Sequence, residues 1–327
     1  MTHWTEAQII QMIAHHFGPR PDLAPHGIGD DCACICDNQR LISTDASIEN
    51  VHFDLNWMTL ADAAYRCLTS NISDVAAMGA YAGPFTLALG LPPTLAFDQI
   101  HDAIAALRQC IDDHCLPNCW LVGGDVVRSP FAFFSITILG NLPEWPFVTR
   151  NGAQPGDLIY VAGNPGYAAA GLEICRQNRP YQPEFKPFLN AFKRPLALTS
   201  FGPIIAQNRL ATAMMDLSDG IFCDLPRLAA QSHIGAIIQT QNLVPSLELE
   251  SLAKTLGIPP LDWMICGGED FGLLVTIAPN HQHDFEVLAD SCHIPHQKIG
   301  ICTSQPDIQW MNGNDPIQIC DHSFSHF

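Results

Sequence analysis

A proline- and glycine-rich stretch divides the chain into two halves, and this division most limits the folds open to it. The stretch is NLPEWPFVTRNGAQPGD (141–157), and segments of this composition commonly form boundaries between domains. On each side of it, runs typical of β-strands alternate with runs of helical periodicity. A chain of 327 residues is also long for a single hydrophobic core. The sequence therefore predicts a mixed α and β protein of two domains.

Composition and charge exclude several classes of protein. Acidic residues outnumber basic ones by 33 to 15, and the net charge of −18 makes nucleic acid an unfavourable partner. The longest apolar stretches are too short, or too broken by Gly and Pro, to span a bilayer, so we expect no membrane association. The thirteen cysteines include no zinc-type CxxC pair. They are typical of buried free thiols in a reducing compartment, which predicts a cytoplasmic protein.

Six acidic motifs stand out against this apolar background. They are GIGDD (27–31), STDASIENVHFD (43–54), NISDVAAMGA (71–80), GGDVVRS (123–129), MDLSDG (215–220) and GGEDFGLLVT (267–276). Taken alone, each motif is more typical of a turn or a helix cap. Taken together, they place Asp31, Asp45, Asp125 and Asp216 at predicted strand ends or just beyond them. This arrangement favours carboxylates that converge on one site.

Asp74 strengthens this interpretation because it interrupts an otherwise apolar helix face, where an unpaired carboxylate would be costly. Converging carboxylates raise one another's pKa unless a cation lies among them. Near the motifs the sequence offers only Arg128 and Arg150. Oxygen ligands without Cys or His pairs favour Mg²⁺, which commonly bridges to phosphates. No Walker, protein-kinase or Rossmann motif is present, so we expect a metal-rich phosphate site of another type.

The order and spacing of these motifs resemble the thiamine-monophosphate kinase family, within the superfamily of aminoimidazole ribonucleotide synthetase and selenophosphate synthetase. The resemblance covers nearly the whole chain and includes TRNGAQPGD (149–157). It implies an α+β, two-domain fold like that of aminoimidazole ribonucleotide synthetase. Residues 1–147 would form an α/β domain that binds metal and ATP and pairs in a homodimer. Residues 148–327 would form a second α/β domain that completes the site.

The resemblance also implies an activity, the ATP-dependent phosphorylation of thiamine monophosphate to thiamine diphosphate with several Mg²⁺ ions. The implied metal ligands are Asp31, Ser43, Thr44, Asp45, Asp74, Asp125, Asp216 and Asp219. The implied ATP contacts are Gly124, Asp125, Arg150 and Ser218. The implied contacts to thiamine monophosphate are His52, Glu269 and Phe324. No general base is assigned, because the acceptor phosphate is already a nucleophile.

Two departures from the family pattern concern the thiamine end of the site. Phe271 and Gly272 stand where relatives usually have Tyr and Glu, and Ser323 stands where they usually have Gly before the tail aromatic. Two alternatives stay open. One is another ATP-using member of the superfamily, similar to selenophosphate synthetase or to a hydrogenase maturation protein. The other is a non-catalytic acidic metal-binding protein.

Overall fold

The structure, a computed structural model, describes residues 6–17, 23–24, 28–35, 40–141 and 144–319. The helices in these ranges are α1 (Glu6–Phe17), α2 (Leu60–Ala77), α3 (Phe97–Asp113), α4 (Tyr167–Arg176), α5 (Lys186–Lys193), α6 (Phe201–Gln207), α7 (Ile221–Ser232), α8 (Leu247–Leu256), α9 (Pro260–Cys266) and α10 (Gln282–Ser291). The strands are β1 (Ala33–Ile35), β2 (Arg40–Ile48), β3 (Tyr81–Leu91), β4 (Leu121–Arg128), β5 (Phe133–Asn141), β6 (Leu158–Ala162), β7 (Ala211–Leu217), β8 (Gly235–Gln239), β9 (Gly272–Ile277), β10 (His296–Thr303), β11 (Ile308–Asn312) and β12 (Asp315–Pro316).

The first half forms a five-stranded sheet in the order β1-β2-β5-β3-β4. Its neighbouring strands are antiparallel except for the parallel pair β3 and β4. Burial alternates along β5, where Phe134, Ile136 and Ile138 are fully buried. Because alternate side chains point to opposite faces, only one face of this sheet is packed in the core. Helices α2 and α3 lie against that core.

The second half forms a seven-stranded sheet in the order β12-β11-β8-β10-β6-β9-β7. All six residues of β9, which lies between β6 and the edge strand β7, are buried, which indicates that helices or loops cover both faces of the sheet there. The predicted α+β class is therefore confirmed. The predicted boundary at residues 147 and 148 stays a prediction, although the first sheet ends at Asn141 and the second begins at Leu158.

Helix α2 connects the two halves. It begins with a reciprocal capping box between Thr59 and Asp62, which satisfies two backbone N–H groups at the helix start. Most of its residues are buried, and many are alanines that allow close packing. Ala77 belongs to a core cluster with Phe201 and Phe285 of the second half. A polar residue on α2 can therefore reach side chains from both sheets.

Two of the predicted strand ends are wrong. Asp45 lies inside β2 and Asp125 inside β4. Strand β2 continues past Asp45 because its residues keep pairing with β5 as far as Phe133. Strand β4 tolerates a carboxylate in its interior because it is an edge strand whose residues are all exposed.

The described residues also show the state of the cysteines and the apolar length of the helices. The described cysteines are free thiols, and most of them are buried. No helix in the described ranges has the length and apolar character needed to cross a bilayer.

Candidate active site

Three carboxylates from separate parts of the chain meet beside α2. Asp31 comes from the loop before β1, Asp74 from the last turns of α2, and Asp216 from the end of β7. One oxygen of each lies within 4.8 Å of the others. The structure therefore brings together Asp31, Asp74 and Asp216, three of the eight predicted metal ligands.

Hydroxyl groups hold two of these carboxylates in place. Ser43 on β2 donates a hydrogen bond of 2.5 Å to Oδ2 of Asp74. Ser73 on α2 donates one of 2.9 Å to Oδ2 of Asp216. Since β2, α2 and β7 belong to different layers, the cluster is fixed by the tertiary fold. Ser43, a predicted metal ligand, thus lies in direct contact with the cluster.

The cluster carries more negative charge than its surroundings can stabilise. Burial, followed by repulsion from the neighbouring carboxylates, raises the pKa of Asp74 and of Asp216 well above the usual value for Asp. Burial also raises the pKa of Asp31, although Arg150 opposes this effect. Oδ2 of Asp31 is buried and has no hydrogen-bond partner. Such an oxygen is costly unless a cation or donor reaches it.

Arg150 is a cation in direct contact with this cluster. Its Nη2 donates a hydrogen bond of 2.6 Å to Oδ1 of Asp31, and its backbone carbonyl accepts one of 2.7 Å from Ser232. Burial acts to lower the pKa of the guanidinium, but Asp31, Asp216 and Asp30 outweigh it and raise the pKa. Arg150 therefore lies in the site, bound to a carboxylate, at a position for which the sequence predicted an ATP contact.

A second cation was missed in the sequence. Arg227 on α7 contacts Oδ2 of Asp219 and lies 3.0 Å from Oδ1 of Asp224. Burial and the charge of Asp219 raise the pKa of Asp224 to about 7. The expectation that only Arg128 and Arg150 lie near the acidic motifs is therefore wrong. The spacing of Asp224 and Arg227, three residues apart on a helix, could have shown this pair.

The loop formed by GGED (267–270) lies next to the end of β7. The backbone N–H of Glu269 donates a hydrogen bond of 2.7 Å to the carbonyl of Ser218. The Asp270 carboxyl accepts hydrogen bonds of 2.5 Å from the N–H of Gly166 and 2.8 Å from that of Ala168, at the start of α4. Glu269 thus stands beside Ser218, and Ser218 itself contacts Asp216 at 3.4 Å. This places the predicted ATP contact Ser218 and the predicted substrate contact Glu269 next to the carboxylates.

Three other predicted residues lie on β2 or just after it. The hydroxyl of Thr44 donates to the carbonyl of Ile136 at 3.0 Å, so it is held by the neighbouring strand β5. Asp45 lies close enough to Asp74 for their charges to repel. Nδ1 of His52 accepts a hydrogen bond of 3.1 Å from the backbone of Ile48.

Gly124 and Asp125 are not brought to the cluster within one chain. Asp45 pairs with Ile136 on β5, Ile136 with Leu87 on β3, and Leu87 with Gly124 on β4. Three strand spacings, about 14 Å, therefore separate Asp45 from Gly124. A Cβ atom on Gly124 would meet the carbonyl oxygen of Leu87 at 2.0 Å, so only glycine fits there. Phe324, the last predicted substrate contact, lies outside the described residues.

Comparisons with known proteins identify the family. Residues 29–142 match the AIR synthase related protein N-terminal domain, and residues 154–310 match the C-terminal domain of that family. The thiamine-monophosphate kinase of Escherichia coli (strain K12) is 35% identical over 314 residues, which cover 92% of this chain and 91% of that protein. The chain belongs to the thiamine-monophosphate kinase family. The family predicted from the motifs is confirmed.

Solved structures agree with the family assignment. A structure of AaThiL complexed with AMPPCP and TMP has a TM-score of 0.85 and 26% identity, covering 99% of this chain and 97% of that chain. The hydrogenase maturation protein HypE from E. coli has a TM-score of 0.70 at 15% identity, covering 97% and 98% of the two chains. The likeness to HypE shows a shared fold only, so the relatives favour thiamine-monophosphate kinase over the hydrogenase maturation alternative.

Proposed function

We propose that the chain transfers the γ-phosphoryl group of ATP to thiamine monophosphate, giving thiamine diphosphate and ADP. The observation that carries this proposal is the cluster of Asp31, Asp74 and Asp216 in a member of this family. Three carboxylates this close repel one another unless a cation lies among them, and the substrates of this reaction are polyanions that are also neutralised by cations. A common cation site would serve both needs.

The donor set fits Mg²⁺. Among the described residues, the candidate ligand atoms at the cluster are carboxylate and hydroxyl oxygens, and the partnerless Oδ2 of Asp31 is a carboxylate oxygen of the kind that Mg²⁺ binds. We propose that Asp31, Asp74 and Asp216 hold Mg²⁺. We propose further ligands for additional ions, namely Ser43, Thr44, Asp45, Asp125 and Asp219. Bound Mg²⁺ would neutralise phosphate charge and orient the reacting groups.

The protein's own part in the reaction is to bind and orient two anionic substrates. The acceptor is a phosphate monoester, which carries a charge of about −1.5 to −2 at neutral pH and needs no base to become a nucleophile. Gly124, Asp125, Arg150 and Ser218 are the proposed contacts to ATP, and Arg150 would exchange its bond to Asp31 for one to a phosphate. His52, Glu269 and Phe324 are the proposed contacts to thiamine monophosphate. Positioning and charge neutralisation are the main contributions in this class of reaction.

A homodimer is part of the proposal, because two sheet edges in the first half are open. Strand β4 is exposed throughout, with Val122 at 64% and Val126 at 68% exposure. At the opposite edge of the sheet, β1 pairs with β2 only at residues 40–42. Residues 43–48 of β2 therefore have no partner strand at this edge among the described residues. Strand edges with unpaired backbone groups favour pairing with another chain. Two copies that joined β4 to β2 in the register that aligns these two residues would place the partner's Asp125 beside Asp45.

Location in the cytoplasm also belongs to the proposal. It is supported by the free thiols among the described cysteines, which persist in reducing compartments. Fractionating cells that express the tagged chain at its native level would test it.

The experiment that tests the activity incubates the purified protein with ATP, excess Mg²⁺ and thiamine monophosphate and separates the products. We expect thiamine diphosphate and ADP in equal amounts, and little reaction with free thiamine, which offers only a neutral hydroxyl. A non-catalytic metal-binding protein would bind Mg²⁺ and leave ATP unchanged. Consumption of ATP with selenide or a carbamoyl compound, but not with thiamine monophosphate, would favour another superfamily activity.

A further inference from the structure

Arg66 is a buried cation to which the proposed chemistry assigns no role. It lies on α2, two helical turns before Asp74, and its side chain is only 6% exposed. Its guanidinium carbon stands 5.0 Å from the centre of the Phe192 ring, and Nη1 lies 3.6 Å from the sulfur of Met58. Nη2 forms an ion pair with Oε2 of Glu269. A buried guanidinium is stable only when its charge is paired, so Glu269 stabilises Arg66.

Glu269 is held at two points. Its backbone has a φ of +65°, a conformation that is uncommon for a residue other than Gly, and its N–H is bonded to the carbonyl of Ser218. Its side chain is 39% exposed even though Oε2 contacts Arg66. The carboxylate is therefore partly exposed, in a loop bonded to Ser218, while Arg66 fixes its direction.

We propose that Arg66 is a positioning residue that sets the affinity for the thiamine end of the acceptor by orienting the Glu269 carboxylate. This inference rests on the proposed function. The thiazolium ring of thiamine carries a permanent positive charge, which a carboxylate on the rim of the site can bind. Phe192 and Met58 hold the planar guanidinium in one orientation. A lysine ammonium would keep the charge but would lose the fixed planar arrangement of N–H donors that the guanidinium provides.

The test compares KM and kcat for both substrates in Arg66→Gln and Arg66→Lys. We expect Arg66→Gln to raise the KM for thiamine monophosphate about tenfold or more, the scale of losing one partner of a buried ion pair. The KM for ATP should change by less than about twofold, because Glu269 is not a proposed ATP contact. Arg66→Lys should recover part of the loss.

Arg194→Gln is a matched control. Arg194 also contacts α2, with Nε 2.7 Å from Asp62 and its guanidinium 5.6 Å from the Tyr65 ring centre, but it is not paired with Glu269. We expect this variant to lower the melting temperature and leave both KM values unchanged. A rise in the KM for thiamine monophosphate equal to that of Arg66→Gln would show that loosening α2 is sufficient, and would overturn the inference.

A double-mutant cycle with Glu269→Gln completes the test. If Arg66 acts through Glu269, the double variant should have the KM of Glu269→Gln alone. Additive effects, or a folded Arg66→Gln protein with a wild-type or lower KM for thiamine monophosphate, would overturn the inference. Should Arg66→Gln fail to fold, a wild-type KM for thiamine monophosphate in Arg66→Lys would also overturn the inference. Wild-type protein that is inactive on thiamine monophosphate would instead contradict the proposed function.

Discussion

Ser73 donates a hydrogen bond of 2.9 Å to Asp216 and so joins α2 to the end of β7, two segments 143 residues apart in the chain. The bond lies in the buried interior, since Ser73 and Asp216 are each 1% exposed. Ser73 precedes Asp74 by one residue on α2. The same turn of the helix therefore supplies one carboxylate of the cluster and fixes another.

The Ser73 bond should contribute to both stability and activity. We expect Ser73→Ala to lower the free energy of unfolding by about 1–3 kcal/mol, because it leaves a buried carboxylate with one donor fewer. It should also lower kcat, since Asp216 loses its fixed orientation. Urea denaturation and initial rates measure the two effects. Ser291→Ala, at an exposed position on α10, is the control and should change neither. Unchanged stability and rate in Ser73→Ala would contradict this role.

Asp270 should make the stability of the protein depend on pH. Burial raises its pKa to about 7, although the backbone N–H groups of Ala168 and Gly166 oppose this. An unfolded Asp has a pKa of about 3.9, so folding favours the protonated form. Its contribution to stability is complete below pH about 4 and is lost as the pH rises through 7, at up to about 1.4 kcal/mol per pH unit.

The variant Asp270→Asn measures this contribution. We expect the free energy of unfolding of the wild type, in EDTA, to fall between pH 5 and 7, and the fall to be smaller in Asp270→Asn. Asp284→Asn, which alters an exposed carboxylate on α10, should keep the wild-type slope. Equal slopes in all three proteins would show that Asp270 does not titrate in this range.

Mixed dimers test where Asp125 acts. If the partner's Asp125 completes the site around Asp45, a dimer of one Asp45→Asn chain and one Asp125→Asn chain contains one intact site. Random mixing makes half of the dimers mixed, so we expect recovery of about a quarter of wild-type activity on co-expression. Each variant alone should be nearly inactive. No recovery in mixed dimers of confirmed composition would place both residues in the same subunit's site.

The sequence predicted the members of the carboxylate cluster better than its cations. Asp74 and Asp216 could be found because each interrupts an apolar segment, and burial of a carboxylate requires a physical reason. Arg66 and Arg227 were missed, because the carboxylate that an arginine meets depends on how helices pack on the sheets. Arg66 did leave a signal, a cation in the apolar helix that carries Asp74.

The distance of Asp125 from the cluster could not be predicted either. The motif GGDVVRS predicts that Asp125 lies on a strand, but the order β1-β2-β5-β3-β4 sets the distance of Asp125 from Asp45. Strand order depends on contacts between residues far apart in sequence, which local pattern does not contain. The α+β class, in contrast, follows from the alternation of strands and helices, which is local.

The account rests on Asp74 as a ligand for Mg²⁺, and one variant tests it most directly. Asp74→Asn keeps the size of the side chain and can still accept the hydrogen bond from Ser43, but it removes the charge. Without metal, its melting temperature should equal or exceed that of the wild type, because burial and repulsion already disfavour the Asp74 carboxylate.

The deciding measurement is the melting temperature of wild type and Asp74→Asn over a Mg²⁺ titration, with turnover measured on the same samples. A ligand that binds only the folded state stabilises it, so we predict a Mg²⁺-dependent rise in the wild type and little or none in the variant. Turnover of the variant should fall about a thousandfold or more, a loss typical of removing charge stabilisation from a phosphoryl-transfer site. An Asp74→Asn protein with wild-type turnover and the same Mg²⁺-dependent rise would contradict the account.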